Sequence, residues 1–275
     1  MKFSVLMSIY KKEEPIYFNR AMQSIWDEQT VKPDEIVLVQ DGPLTDGLYK
    51  AIDEWKKKIG ESFKTVPLEK NVGLGEALNA GIKHCSYELI ARMDTDDISI
   101  PHRFEKQLKT FEEKDIDVCS AFISEFEDDE NKIISYRKLP ENHKEIVKYS
   151  KMRSPVNHIP VMFKKSAVLK AGGYMKMDYL EDYYLWGRLI INNAKFYNIQ
   201  EVLANIRAGE VQIQRRSGIK YLTNELKLLN KFKQLGFLNT IEFIKNLVIK
   251  IPIRLLPLFL IKKVYNIIRK NDEKK

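Results

Sequence analysis

Ile90-Ala-Arg-Met-Asp94-Thr-Asp96-Asp97-Ile98 is the stretch on which the fold turns. Strand-compatible residues run straight into three carboxylates at spacing i, i+2 and i+3. Carboxylates this close repel one another and shift each other's pKa. The usual resolution is a hard divalent cation, Mg²⁺ or Mn²⁺, which takes one or two carboxylates together with phosphate oxygens. The segment therefore predicts a metal-phosphate site at the carboxyl end of a buried strand. Taken alone, it reads equally well as a solvated acidic turn capping a helix that starts near Pro101.

Strands and helices alternate on both sides of this stretch. Phe3 to Ile9 is a buried apolar strand, and Pro15 suits a helix start with Phe18, Met22 and Ile25 as its apolar stripe. Glu35 to Val39 reads as a second strand, ended by the turn signal Gln40-Asp41-Gly42-Pro43. A helix over Tyr49–Ile59, a short strand over Lys64–Leu68 and a helix over Gly75–Lys83 follow. The strand Tyr87–Met93 leads into the acidic cluster. Beyond it come a helix over 102–113 and a strand over Asp117–Ile123. This alternation predicts an α/β fold with a mainly parallel central sheet covered by helices on both faces. Such sheets bind ligands outside the carboxyl ends of their strands, where Asp41 and the Asp94 cluster both fall.

The second half is mixed. Pro160–Lys164 reads as a strand, Gly172-Gly173 as a break, and Leu180–Asn192 as a helix that opens on Glu181 and Asp182. Tyr221–Gln234 is a helix with Leu222, Leu226, Leu229 and Phe232 on one side.

Composition narrows the class. The 275 residues suit one large domain, or one domain with a tail. Cys85 and Cys119 have no metal-ligand spacing, so reduced cysteines in a cytosolic protein are the simpler reading. The apolar start Phe3–Ile9 soon meets Lys11, Lys12, Glu13 and Glu14, as a first strand does and a signal peptide does not. The net charge is +8, but Lys245–Lys275 alone holds nine basic and two acidic residues. A nucleic-acid-binding domain would spread that charge over its folded face, so no nucleic acid partner is expected. A basic excess on an apolar tail points to an anionic membrane surface.

Several patterns then appear in a telling order. They are Ser8-Ile9-Tyr10, Val37-Leu-Val-Gln-Asp41-Gly42 and Asn71-Val-Gly73-Leu-Gly75-Glu-Ala-Leu-Asn79-Ala-Gly81. Ala91-Arg-Met-Asp94-Thr-Asp96-Asp97, Asn157-His158-Ile-Pro160, Gly172-Gly173-Tyr174 and Glu181-Asp182-Tyr-Tyr-Leu-Trp186 complete the set. Residues 1 to 216 resemble a family 2 glycosyltransferase of the GT-A fold. The Arg-Met-Asp-x-Asp-Asp version, with Arg215-Arg216 later, is similar to bacterial enzymes that extend O-antigen, capsule or exopolysaccharide repeat units. Many of those act on a sugar linked to undecaprenyl diphosphate.

The resemblance implies inverting transfer from a nucleotide sugar, usually a UDP-sugar, with UDP-galactose or UDP-glucose the guess. It implies metal ligation by Asp94, Asp96 and Asp97, uracil contact by Asp41, stacking by Tyr10 and close backbone approach at Gly73. Arg92 becomes a neutraliser of the carboxylates or a diphosphate contact, and Arg215 and Arg216 a pair folding over the diphosphate. Asp182 matches the base, and Glu181 is a neighbour that orients the site or the acceptor. His158 is a further acceptor candidate, against the plainer reading of a structural histidine. Tyr174, Tyr179, Tyr183, Tyr184 and Trp186 are candidates for a sugar-stacking platform, although Leu185 and Trp186 also suit a core at helical spacing. The expected organisation is a transferase domain over 1–216, with a nucleotide half 1–123 and an acceptor half 124–216, followed by helices and a tail over 217–275.

Two other readings compete. A nucleotidyltransferase shares the wound sheet and the acidic metal site, but its first loop would be glycine-rich, and Tyr10-Lys-Lys-Glu-Glu-Pro15 has no glycine. A non-catalytic scaffold on a transferase fold would not be expected to keep Asp94, Asp96 and Asp182 together. The tail Leu247–Ile261 is too short and too interrupted by Lys250, Pro252, Arg254 and Pro257 to span a bilayer. It is expected to lie in the interface at the inner face of the cytoplasmic membrane, with Lys and Arg at headgroups.

Overall fold

The computed structural model describes residues 1–208 and 218–256. Its first half is a parallel unit made of β1 (Phe3–Ile9), β2 (Glu35–Gln40), β3 (Phe63–Pro67) and β4 (Leu89–Arg92). The crossovers run through α1 (Pro15–Met22), α2 (Asp46–Ile59) and α3 (Leu74–His84). β1 and β2 read as unbroken apolar runs because both faces are covered.

The second half completes a nine-stranded sheet in the order β3-β2-β1-β4-β8-β6-β9-β5, with β7 beside β6. The added strands are β5 (Ile98–Ser99), β6 (Val118–Phe126), β7 (Ser135–Arg137), β8 (Met162–Lys164) and β9 (Phe196–Arg207). The parallel order expected from the sequence holds for β1 to β4 and for β6 beside β9. The short β8 lies between β4 and β6, antiparallel to both, and the sheet is mixed there. β6 runs through residue 123, so the expected nucleotide and acceptor halves share one sheet. The expected boundary at 216 lies outside the described residues.

Two apolar layers flank the sheet. On one face α1, α2 and α4 (Arg103–Glu113) bury Phe18, Trp55 and Phe104 against the strands. On the other, α3 packs with α6 (Lys165–Lys170) and α7 (Glu181–Ile191) through Leu78, Val168 and Trp186. α5 (His143–Ser150) adds Ile146 to this layer.

A third cluster fastens α8 (Gly218–Gln234) to α7, with Tyr183 and Tyr184 packed against Phe232. Gly187 makes this approach possible, because a Cβ there would overlap the Phe232 ring. Gly187→Ala is expected to cost about 1–3 kcal/mol through overpacking. A lower urea midpoint at unchanged slope would show it, and an unchanged midpoint would mean that α7 and α8 yield freely.

The last described helix, α9 (Thr240–Leu255), starts with a capping box between Asn239 and Glu242. Two of its three cations, Lys250 and Arg254, do not face outward as the sequence reading expected of the tail, while Lys245 is exposed. Lys250 Nζ lies 3.0 Å from Glu225 Oε1, and Arg254 Nε lies 2.8 Å from Glu225 Oε2. Glu225 is buried on α8, and a buried carboxylate needs such partners. Spaced i, i+4, the two cations share one helix side and meet the same acid. They fasten α9 to α8 and are not available to headgroups. The part of the predicted tail beyond residue 256 lies outside the described residues.

Candidate functional site

β1, β2 and β4 are adjacent and parallel, so the residues after their carboxyl ends share one edge. Tyr10, Asp41 and the Asp94 cluster follow those three strands, as the wound-sheet rule requires of a ligand site. The ligand atoms of Asp94, Asp96 and Asp97 all lie within 4.8 Å of one another.

Two neighbours fix this cluster. Asp94 pairs with the buried Arg92 guanidinium. Asp97 Oδ1 accepts a 2.8 Å hydrogen bond from the Arg207 backbone N–H at the end of β9. Burial, followed by the charge of Asp94, pushes the Asp96 carboxyl up to about 6. Burial, then Asp96 and Asp94, pushes Asp97 well above the ordinary carboxylate range. The cluster therefore carries more acid than its protein surroundings neutralise. Hard oxygen donors in that state fit a divalent cation such as Mg²⁺ or Mn²⁺.

Arg92 itself is unusual. Its Nε and Nη1 are buried with no hydrogen-bond partner, and only Nη2 reaches Asp94. Beneath it sits the fully buried Arg103, which sequence reasoning missed. Its Nη2 donates to Arg92 O at 2.6 Å, and its Nε to Gln107 Oε1 at 3.1 Å. Burial, then the charge of Arg92, pulls Arg103 down to about 9. Arg103 thus pins the strand end that presents the cluster. Arg207 was missed too; its guanidinium lies 3.9 Å from the centre of the Tyr17 ring.

Asp41 is buried and turned to its own loop. Asn71 Nδ2 and the N–H of Gly73 donate to Oδ2 at 2.9 and 3.1 Å, and the N–H of Val72 to Oδ1 at 2.7 Å. Gly42, at φ +85°, lets this loop approach, since a Cβ would sit 2.6 Å from Asn71 N. Gly73, at φ +89°, takes a backbone conformation that disfavours L side chains and opens directly onto α3.

The start of α3 meets the start of α7. A Cβ on Gly75 would lie 3.5 Å from Glu181 Cγ and 3.5 Å from Tyr174 Cβ. Asn79, also on α3, clasps the Tyr174 backbone with both amide atoms, at 2.7 and 2.8 Å. Arg188 of α7 donates to the carbonyls of Ala171 and Gly173. These contacts fix the Gly172-Gly173 break, and with it the entry to Glu181 and Asp182. Both carboxylates lie in the first turn of α7, where the helix dipole favours negative charge. Burial first, then Asp182, raises Glu181 to about 7.

The five expected stacking aromatics divide sharply. Trp186 is 0% exposed and belongs to the core, so the expectation of an acceptor contact by Trp186 is corrected. Tyr174, Tyr183 and Tyr184 are buried as well. Tyr179 is 46% exposed and held at φ +68°, two residues before Glu181. A bulky residue at positive φ is strained, and such strain gathers at functional sites. His158 is half-buried, with Nε2 2.7 Å from Tyr174 Oη and its ring edge-on to Trp186. Burial, then the charge of Arg92, holds its pKa well below the ordinary histidine value. Neutral His158 therefore braces Tyr174 from behind. Arg215 and Arg216 lie outside the described residues.

Comparisons with known proteins bear on the family and the fold. Residues 4–170 match the family model described as glycosyl transferase family 2. The chain is 40% identical over 257 residues to an Escherichia coli UDP-Gal:alpha-D-GlcNAc-diphosphoundecaprenol beta-1,3-galactosyltransferase, across 93% of this chain and 92% of that one. It is 38% identical over 273 residues to an amylovoran biosynthesis glycosyltransferase of Erwinia amylovora, across 98% and 99% of the two chains. Among solved structures, S. aureus TarS 1–349 in complex with UDP-GlcNAc aligns at a TM-score of 0.63 and 18% identity, over 84% of this chain and 66% of that one. This last likeness is one of fold, and the fold is that of the GT-A glycosyltransferases.

Proposed function

We infer the reaction from a premise now in hand: the chain belongs to glycosyl transferase family 2, and it is a glycosyltransferase of bacterial polysaccharide synthesis. The finer reading is inverting transfer of a hexose, galactose or glucose, from a UDP-sugar to a saccharide on undecaprenyl diphosphate. What supports it is that two acidic groups stand at one sheet edge, with Tyr174 feeling the charges of both. The Asp94 cluster follows β4, and Glu181-Asp182 is brought to the start of α3 at Gly75.

In this reading Tyr10 stacks on the base, and the Gly73 backbone lies against the nucleotide. Asp41 acts through the 71–73 loop that it orders. Arg92, with two donors unpartnered, neutralises the cluster and offers N–H groups toward the diphosphate. Asp94, Asp96 and Asp97 are the residues that would hold Mn²⁺ or Mg²⁺. A divalent ion held there would offset the charge that gathers on UDP as it leaves.

Asp182 takes the proton of the acceptor hydroxyl while that oxygen bonds to C1 of the donor sugar. The bond from C1 to the UDP oxygen breaks on the opposite face, so the anomeric configuration inverts. Glu181 sits beside the acceptor and sets the local charge. Residues 1–216 form the transferase unit, with the later helices packed on it. Among the described residues no helix is long and apolar enough to cross a membrane. In this reading the chain meets the inner face of the cytoplasmic membrane peripherally, through the apolar and basic character of its tail sequence.

The test is a panel of UDP-hexoses offered with a GlcNAc- or GalNAc-diphospholipid. A product one hexose heavier, with inverted anomeric configuration, is expected. No product from any donor, or retained configuration, would overturn the reading.

Tyr179 is the exposed aromatic at the site and the proposed platform for the acceptor sugar. Tyr179→Ala is expected to raise the acceptor KM by roughly tenfold, the worth of a stacking contact of about 1 kcal/mol or more. UDP affinity should stay constant. A rise in the donor KM instead would move Tyr179 to the nucleotide side.

A further inference from the structure

The outer face of α9 is mostly apolar, with one exposed cation, Lys245, among its aliphatic side chains. Ile241, Ile244, Val248, Ile249 and Leu255 are between 39% and 79% exposed, and their spacing sets them on one side of the helix. Of the polar side chains of α9, Lys245 stands in this stripe, whereas Asn246, Lys250 and Arg254 turn the other way. Asn246 donates to Lys151 O, and Lys250 and Arg254 meet Glu225. A water-facing helix rarely carries such a stripe without an occupant.

The sequence that follows says which occupant. Leu258-Phe-Leu-Ile261 continues the apolar character, and 262–275 then carries Lys262, Lys263, Arg269, Lys270, Lys274 and Lys275 against Asp272 and Glu273. Apolar surface followed by cations is the chemistry that enters the headgroup boundary of an anionic bilayer. The inner side of α9 also reaches the site. Lys250 Nζ lies 5.8 Å from the centre of the Tyr183 ring, next in sequence to Asp182. The Arg254 guanidinium lies 4.6 Å from the Tyr221 ring, and that ring 6.3 Å from Tyr179.

We propose that the outer face of α9 is a bilayer-docking surface, seated in the interface plane by its apolar side chains. It keeps the first turn of α7 close to the lipid that bears the acceptor. That purpose rests on the lipid-linked acceptor reading above, whereas the docking itself does not. Because Lys250 and Arg254 are engaged by Glu225, the attachment is apolar first, with Lys245 and the basic residues beyond 261 adding attraction.

The test uses the full chain and flotation with phosphatidylcholine vesicles containing phosphatidylglycerol, at low and high salt. Wild type is expected to stay bound at high salt. Ile244→Glu combined with Val248→Glu is expected to lower partitioning by at least about tenfold, since two apolar side chains leave the interface and two carboxylates replace them. Both positions are exposed, so its thermal midpoint and its turnover on a short-chain acceptor should match wild type. As a second measurement, Val248→Trp should show a blue-shifted emission when vesicles are added. Unchanged partitioning of the double variant, or no shift from Val248→Trp, overturns the proposal. So does release of wild type by salt alone, or a lipid-free dimer that the double variant dissociates. Failure of the acceptor reading would appear elsewhere, as absence of transfer to any lipid-linked sugar while vesicle binding persists.

Discussion

Asp96→Ala is expected to reduce transfer by roughly a thousandfold or more, the several kcal/mol that metal-assisted charge stabilisation supplies. The same substitution should leave the fold intact and make the metal-free protein more stable at neutral pH. Asp96 titrates at about 6 in the folded chain, above its ordinary value of 3.8. A folded-state carboxyl raised in this way binds its proton more tightly than the unfolded chain does. Its contribution is fully present below about pH 4 and is lost as pH rises through 6. At pH 7 the metal-free cluster is therefore under electrostatic strain, which a cation or the loss of Asp96 relieves. Adding Mn²⁺ should raise the melting temperature of wild type at pH 7 and change that of Asp96→Ala little. Full activity in EDTA, or an active Asp96→Ala enzyme, would refute the role given to this cluster.

How much of this site the sequence announces depends on where each side chain finds its partner. The parallel unit was legible because β1, β2 and β4 are buried on both faces and read as apolar runs that stop at polar turns. Asp41 and the Asp94 cluster stood where those patterns stop, whereas Glu181-Asp182 was singled out by its place at a helix start after Gly172-Gly173 and by the family resemblance. β9 escaped notice. Its pairing with β6 shifts register on either side of Phe122, and twelve residues of uneven exposure show no clean alternation. With β9 went Arg207, whose backbone holds Asp97.

Arg103 was hidden differently. It opens a strongly polar helix, and nothing local says that its side chain turns under Arg92. Five aromatics in thirteen residues likewise give no local clue to which one stays outside. The positive φ of Tyr179 separates it from Trp186. The tail misled because basic residues among apolar ones suit both a headgroup layer and a buried acid. Glu225, a lone acid on the apolar side of α8, was the available signal that Lys250 and Arg254 would turn inward.

Asp182→Asn keeps the shape and hydrogen-bonding reach of the side chain but cannot accept the acceptor's proton. Transfer is expected to fall by roughly 10²–10⁴-fold, the usual worth of a general base, while UDP affinity barely changes. Glu181 supplies the contrast. Burial, then the charge of Asp182, raises it to about 7, so it gains its own charge as pH passes neutrality. That charge appears one residue from Asp182, beside the group that takes the acceptor's proton. Glu181→Gln should therefore remove an inflection near pH 7 from the rate profile and lower the rate less than Asp182→Asn does. If Glu181→Gln proves the more damaging change, Glu181 takes the proton and Asp182 is its tuning charge. If Asp182→Asn loses UDP binding together with turnover, Asp182 belongs to the donor side and the single-displacement assignment fails.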